Sequence, residues 1–309
     1  MPTGDPMNGL DSLMLTARTL VDGLYAGRHA SPLRGAGVEF HDYRPYAPGD
    51  DLRAVDWKLY GRTNRYYLKR FRQETDLNLH LAIDTSASMA FSTLDAKPQR
   101  EKRGRLPISK LPGAKLDTAK QLAAALATLA VRQGDRAGLS LFDTQLRNHH
   151  PASGSPRMLQ QMIADLDRAN IKHGQADLAG SLQQLGGLLP RRGVVAILSD
   201  FLDEPAPLLR AIDRLRHAGH EVIAFQILTP DEIDLGDSAP SNRSAGLLMT
   251  DPEVDVMVPT HPQEVARRYA ALVSEHNTQL QKSLAARNAD HTPVRTDHPL
   301  IETLRRYLL

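Results

Sequence analysis

The chain has 309 residues, 41% of them hydrophobic and 24% charged, enough apolar material for one large or two modest globular domains. A formal net charge of +2 gives no global pull toward nucleic acid or membrane, and the absence of cysteine excludes disulfides and thiolate metal sites. No run approaches the roughly 18 apolar residues of a membrane span, and the first residues lack a signal-peptide pattern, so a cytoplasmic protein is expected.

Leu10 to Tyr25 carries Leu10, Leu13, Met14, Ala17, Leu20, Val21 and Leu24 at helical spacing and reads as an amphipathic arm lying on the main body. After a loop from Arg28 to Gly37 comes a dense polar stretch, Val38 to Glu74. It predicts a strand over Val38 to Tyr43, a turn at Pro48-Gly49, a short helix from Asp50 or Asp51 to Tyr60, and a strand over Tyr66 to Phe71. Here Arg44, Arg53 and Arg62 are interleaved with Asp50, Asp51, Asp56 and the only tryptophan, Trp57. Mixed charges of this kind pair or stay solvated, which suits a salt-bridged lid anchored by Trp57. The same residue types dominate interface energetics, so these seven are also the candidates for partner binding.

Leu77 to Met89 (LNLHLAIDTSASM) is an apolar β-type run that ends in Asp84 and continues into Ser86 and Ser88. It predicts a buried central strand that delivers one carboxylate and two hydroxyls to the carboxyl-end loop, where open α/β sheets place ligands. A second apolar run, Val194 to Asp200 (VVAILSD), ends in another carboxylate. If the two strands are parallel neighbours, Asp84 and Asp200 meet at one rim, and the oxygen-only set suits a hard cation such as Mg2+. The competing role for Asp84, Ser86 and Ser88 is to satisfy turn backbone groups.

The segments GAGVEF, GDDLRAVDW and KRFRQE, running into the D-x-S-x-S-M strand, resemble the bacterial von Willebrand factor A-like family catalogued as domain of unknown function 58. The resemblance is strong from Gly35 to Met89 and weaker to Leu129. It implies a von Willebrand factor A-like α/β fold and a metal-ion-dependent adhesion site (MIDAS) made of Asp84, Ser86, Ser88 and Asp200. It further implies Mg2+ or Mn2+ as the ion, and a MoxR-type AAA+ ATPase as the partner of a chaperone-like adaptor. Such sites carry a threonine in a G-T-D-L string. This chain reads Gly174-Gln175-Ala176-Asp177-Leu178, so Ala176 takes the threonine position and Asp177 stands where a helix N-cap is expected.

Downstream, Ser92 to Gly113 is a polar, basic loop, and Lys115 to Arg132 a helix stopped by Gly134. Strands are expected over Arg136 to Phe142 and Arg147 to His150, the second as an antiparallel edge with His149 and His150 on opposite faces at the surface. His173 falls in the loop near the proposed site. Helices are expected over Ser155 to Ala169, Leu178 to Leu189 and Pro205 to Ala218, with a strand over Glu221 to Leu228. Beyond Pro230 the pattern gives a hairpin over Gly246 to Pro259, helices over Gln263 to Arg287 and Leu300 to Leu308, and a short strand over Thr292 to Arg295. The division is an arm and charged segment over residues 1–76 and one α/β domain over 77–309. No phosphate loop, zinc-protease string or serine-nucleophile elbow occurs, so the chain is read as a non-enzymatic adaptor. The alternatives are a metal-assisted hydrolase at the same site and an anionic-ligand or nucleic-acid binder on the basic segment.

Overall fold

The computed structural model describes residues 13–22, 39–45, 55, 57–72, 77–91, 114–171, 177–190, 192–233, 247–250, 257–260 and 262–308. Contacts divide the chain into two compact units, Pro32–Leu77 and the remainder.

In the smaller unit, β1 (Glu39–Pro45) pairs antiparallel with β2 (Tyr67–Arg72), and α2 (Trp57–Thr63) lies between them in the chain. The helix begins later than the Asp50-Asp51 pair suggested. Val55 makes a lone β-bridge, so the backbone is still extended two residues before Trp57.

The larger unit begins with α1 (residues 13–22), whose Leu13, Ala17 and Val21 are buried at the predicted helical spacing. Its six-stranded sheet is formed by β3 (Asn78–Asp84), β4 (Arg136–Phe142), β5 (Leu146–Ser153), β6 (Gly193–Ser199), β7 (His220–Leu228) and β10 (Asp290–Arg295), in the order β10-β7-β6-β3-β4-β5. All neighbours run parallel except the β4-β5 hairpin. This is the doubly wound order, starting from the central strand β3, stepping outward through β4 and β5, then crossing back to β6 and out through β7 to β10. The resemblance led to the same mainly parallel, helix-flanked sheet.

Strands β3, β6 and β7 are buried on both faces, which explains their near-continuous apolar runs. Helix α3 (Lys115–Arg132) crosses from β3 to β4; with α4 (Pro156–Arg168) it covers one face. On the other face α5 (Leu178–Leu188), α6 (Pro205–His217) and α8 (Pro262–Ala285) pack through Leu182, Leu185, Ile212, Leu215 and Leu284 onto Val195, Ile197 and Ala224. A 3-10 turn (Ala87–Ala90) follows β3, α7 (Pro230–Ile233) follows β7, and α9 (Leu300–Leu308) closes the chain, its Tyr307 ring meeting Phe225 edge-on. The expected hairpin is β8 (Leu247–Thr250) with β9 (Met257–Thr260), antiparallel.

His149 and His150 do fall on opposite faces of β5, but neither is a bare surface group. His149 accepts or donates at 3.0 Å to Ser140 and stacks on His80, while His150 meets Asp165 of α4 at 2.8 Å. Both are half-buried because α4 and β4 pack alongside the edge strand.

Candidate functional site

The chain crosses from one half of the sheet to the other between β3 and β6, which pair in parallel from Leu79 opposite Val194 to Ile83 opposite Leu198. At such a switch point the connections leave in opposite directions and open a crevice at the carboxyl ends of the strands. Asp84 is the last residue of β3 and Asp200 the first after β6, so both carboxylates arrive at that crevice as the sequence predicted.

Asp84 is buried and held from two sides. Its Oδ1 accepts the Ser86 backbone N–H at 2.8 Å, and its Oδ2 accepts the Ser199 hydroxyl at 2.7 Å. The Ser86 and Ser88 hydroxyls lie 3.0 Å apart at the start of the 3-10 turn. Burial first, then the charge of Asp200, push the Asp84 carboxyl up to about 7, against hydrogen bonds from Ser199 and Ser86 that favour its ionised form.

Asp200 is aimed by a strained corner. The next residue, Phe201, takes a left-handed φ of 55° although it is neither glycine nor asparagine. The corner is fastened by the Phe201 N–H donating to Ser199 Oγ at 3.1 Å and by His276 Nε2 of α8 donating to the Phe201 carbonyl at 2.8 Å. Strain of this kind costs about 1–3 kcal/mol and persists where the surroundings over-determine it, as around ligand sites.

The pattern search missed what lies behind Asp200. Lys115, the first residue of α3, is fully buried, its Nζ 2.7 Å from Asp200 Oδ2 and 2.6 Å from Glu232 Oε1. Burial opposes its charge, but Asp200 and Glu232 outweigh that and raise its pKa above the ordinary lysine value. Glu232 is fixed in turn, its Oε2 accepting the Thr229 N–H at 2.8 Å and the Thr229 hydroxyl at 3.1 Å. Two sequence signals pointed here. A lysine in the first turn of a helix opposes the helix dipole and needs another anchor, and Thr229-Pro230-Asp231-Glu232 is a capping-box string. The Lys115 N–H also donates to the Phe91 carbonyl at 3.2 Å, joining the 3-10 turn to the start of α3.

Asp177 caps α5, its Oδ1 accepting the Gly180 N–H at 2.8 Å, so it serves the helix. Ala176 and His173 lie outside the described residues. In the smaller unit, Trp57 is 59% exposed, so it is no buried anchor. It meets Tyr60 and Tyr66 edge-on, and those two rings stack at 4.5 Å. Arg62 is exposed and Arg44 stands opposite Leu68 in the β1-β2 ladder, whereas Asp50, Asp51, Arg53 and Asp56 lie outside the described residues.

Residues 42–279 match the family described as protein of unknown function DUF58. The chain belongs to the DUF58 family. Curated relatives of this DUF58 chain include the uncharacterized proteins Rv1480 of Mycobacterium tuberculosis and Mb1516 of Mycobacterium bovis, each 28% identical over 97% of this chain and 87% of the relative. Similar solved structures include an aerotolerance-related membrane protein from Bacteroides fragilis, at 14% identity and a TM-score of 0.42 over 75% of this chain and 96% of that one. BatB from Bacteroides thetaiotaomicron matches at 13% identity and 0.37, over 75% and 98%. The SpRpn10 VWA domain matches at 10% identity and 0.37, over 74% and 94%. Among the described residues, no helix of the DUF58 chain is long and apolar enough to cross a membrane.

The donor set fits a hard cation better than a soft one. Among the described residues no three His, Cys, Asp or Glu side chains converge as a metal centre, and what faces the crevice is carboxylate and hydroxyl oxygen. Two hydroxyls 3.0 Å apart match the spacing of adjacent ligands around an ion with ligand distances of about 2.1 Å. Asp200 and Glu232 bring two carboxylates to a single ammonium, a buried excess of carboxylate that a cation would relieve.

Proposed function

We propose that this DUF58 protein is a non-enzymatic, cytoplasmic protein-binding adaptor whose recognition point is the crevice between β3 and β6. The observation that carries the reading is the meeting of Asp84 and Asp200 with the Ser86-Ser88 hydroxyl pair at the switch point of the sheet, with more carboxylate than the chain's own cation neutralises. In this reading Ser86, Ser88, Asp84 and Asp200 hold a divalent ion, Mg2+ or Mn2+. A cation bound largely through neutral hydroxyls keeps net positive charge and supplies an attachment for an acidic group.

The chain's own residues prepare that role. Ser199 and the Ser86 N–H fix both oxygens of Asp84, so the carboxylate is oriented before any ligand arrives. Phe201 and His276 hold the β6 corner that presents Asp200. The partner in this proposal offers a carboxylate to the ion, and a MoxR-type AAA+ ATPase is the first candidate. The exposed Trp57 and Arg62 supply a further contact surface of the kind that dominates interfaces.

The test is co-purification of the full chain with a MoxR-type ATPase, with Mg2+ present and with chelator. The expected result is retention in Mg2+, release by chelator, and loss in Ser86→Ala/Ser88→Ala. Retention that ignores both chelator and the double variant sinks the ion bridge and moves the search to Trp57 and Arg62.

A further inference from the structure

Lys115 presents a physical puzzle. Its ammonium is fully buried at the amino end of α3, where the helix dipole repels it, and its side chain is spent on Asp200, one of the residues assigned to the ion. The two short contacts, 2.7 Å to Asp200 and 2.6 Å to Glu232, use two of its three donors, and the Phe91 ring sits 5.9 Å away over the charge. Asp200 therefore has one oxygen committed to a cation already present in the chain. Among the described residues, its other oxygen accepts only the long 3.3 Å bond from the Leu202 N–H.

We infer that Lys115 is a built-in competitor of the divalent ion: a resident cation that holds Asp200 until the ion takes it, with Glu232 keeping the ammonium when Asp200 is released. This rests on the cation site proposed above and adds what sets its affinity. Two cations cannot share a buried carboxylate without repelling each other, so an ion entering beside Ser86 and Ser88 either displaces Lys115 from Asp200 or binds without the full charge of that carboxylate. Glu232 makes displacement feasible. It is fastened through its other oxygen to Thr229, so the ammonium retains a fixed carboxylate at hydrogen-bond distance after Asp200 turns away. The consequence is a site that binds the bare ion weakly. A partner carboxylate, adding the missing negative charge, would make ion and partner bind together or not at all.

The arrangement predicts effects of opposite sign for two substitutions of neighbouring groups. Removing the Lys115-Glu232 pair as a unit, Lys115→Met/Glu232→Gln, leaves net charge unchanged and frees Asp200. Removing only the carboxylate, Glu232→Gln, leaves the ammonium with Asp200 alone. Calorimetric titration of Mg2+ and Mn2+ into the full chain, with circular dichroism to verify folding, should show tightening by about tenfold in the pair variant and weakening by several-fold in Glu232→Gln. A folded pair variant that binds the ion no better than wild type, or a Glu232→Gln variant that binds it better, overturns the inference and leaves Lys115 as scaffolding while the cation site stands. Ion binding by the pair variant but not by wild type upholds the inference as the extreme of a weak bare-ion site, and the ion-bridge reading then stands or falls on the chelator test with the partner present. Binding by neither overturns both.

Discussion

Strand β3 carries two buried polar networks on the same face, and they are built on opposite principles. At its carboxyl end, Asp84 joins a network of charged groups closed by a strained corner and a buried lysine. Two pleats back, His80 joins a neutral one: its Nε2 lies 2.9 Å from the Ser140 hydroxyl, which lies 3.0 Å from His149 Nδ1. His80 is buried, and burial first, then repulsion from His149 and His220, pushes its imidazole down to about 3. The neutral network is tight to the backbone and serves the fold. The charged one costs stability and is retained at a crevice, as functional sites commonly are.

The largest expected effect sits in the neutral network. A Cβ on Gly138 would lie 2.5 Å from His80 Nδ1 and 2.9 Å from the His150 carbonyl, so Gly138→Ala has to move backbone as well as a ring. Urea unfolding should show a loss of about 3 kcal/mol, at the upper end of overpacking costs. A loss below about 1 kcal/mol would mean that this part of the sheet yields more than the contact distances allow.

Next comes the pH dependence, where the two networks should pull in opposite directions. Unfolded His80 takes a proton below its ordinary 6.5 while the folded group resists until about 3, so the unfolded state binds more protons in that window and stability rises with pH. Folded Asp84 keeps its proton up to about 7 while the unfolded group releases it near 3.8, so its contribution falls as pH rises. Each contributes a slope of up to about 1.4 kcal/mol per pH unit, of opposite sign. Unfolding in chelator between pH 4 and 6.5 should therefore give profiles that tilt apart: His80→Leu losing stability toward higher pH relative to wild type, and Asp84→Asn gaining it. Parallel profiles would erase the contrast.

At neutral pH, Asp84→Asn should also raise stability by about 1 kcal/mol, because it removes a buried charge while an amide oxygen can still accept from Ser86. It should abolish Mg2+ binding at the same time. The smallest effect is expected for Ser88→Ala, within about 0.5 kcal/mol in stability, since the side chain is half-buried and, among the described residues, bonded only to Ser86. Its weight should appear in ion affinity alone.

The sheet was legible because its central strands are buried on both faces and two of its helices stop at glycine; Gly134 and Gly219 adopt φ of 88° and 90° where α3 and α6 stop. That Asp84 and Asp200 meet at one rim was legible because each closes an apolar strand and parallel neighbours bring such ends together, while each also accepts a backbone N–H two residues on, the turn role that competed for Asp84. Lys115 and Glu232 each left a local trace, a lysine against the helix dipole and a capping-box glutamate, but their pairing joins residues 117 apart in the chain, which no local pattern encodes. The start of α2 was misjudged for a related reason. Asp50 and Asp51 suit a helix start by composition, yet Val55 makes a β-bridge and α2 starts at Trp57. Asp177 was legible as a helix N-cap from its place before the Leu178 helix, and its bond from the Gly180 N–H bears that out.

The hydrogen bond from the Lys115 N–H to the Phe91 carbonyl has a consequence for the basic stretch between them. Both ends of that stretch are clasped at one point beside the crevice, so chain-closure entropy is already met by the folded neighbours on either side. Doubling its length would cost only about 0.6 kcal/mol. The clasp thus ties the 3-10 turn that carries Ser88 to the helix start that carries Lys115, independently of the length of chain between them.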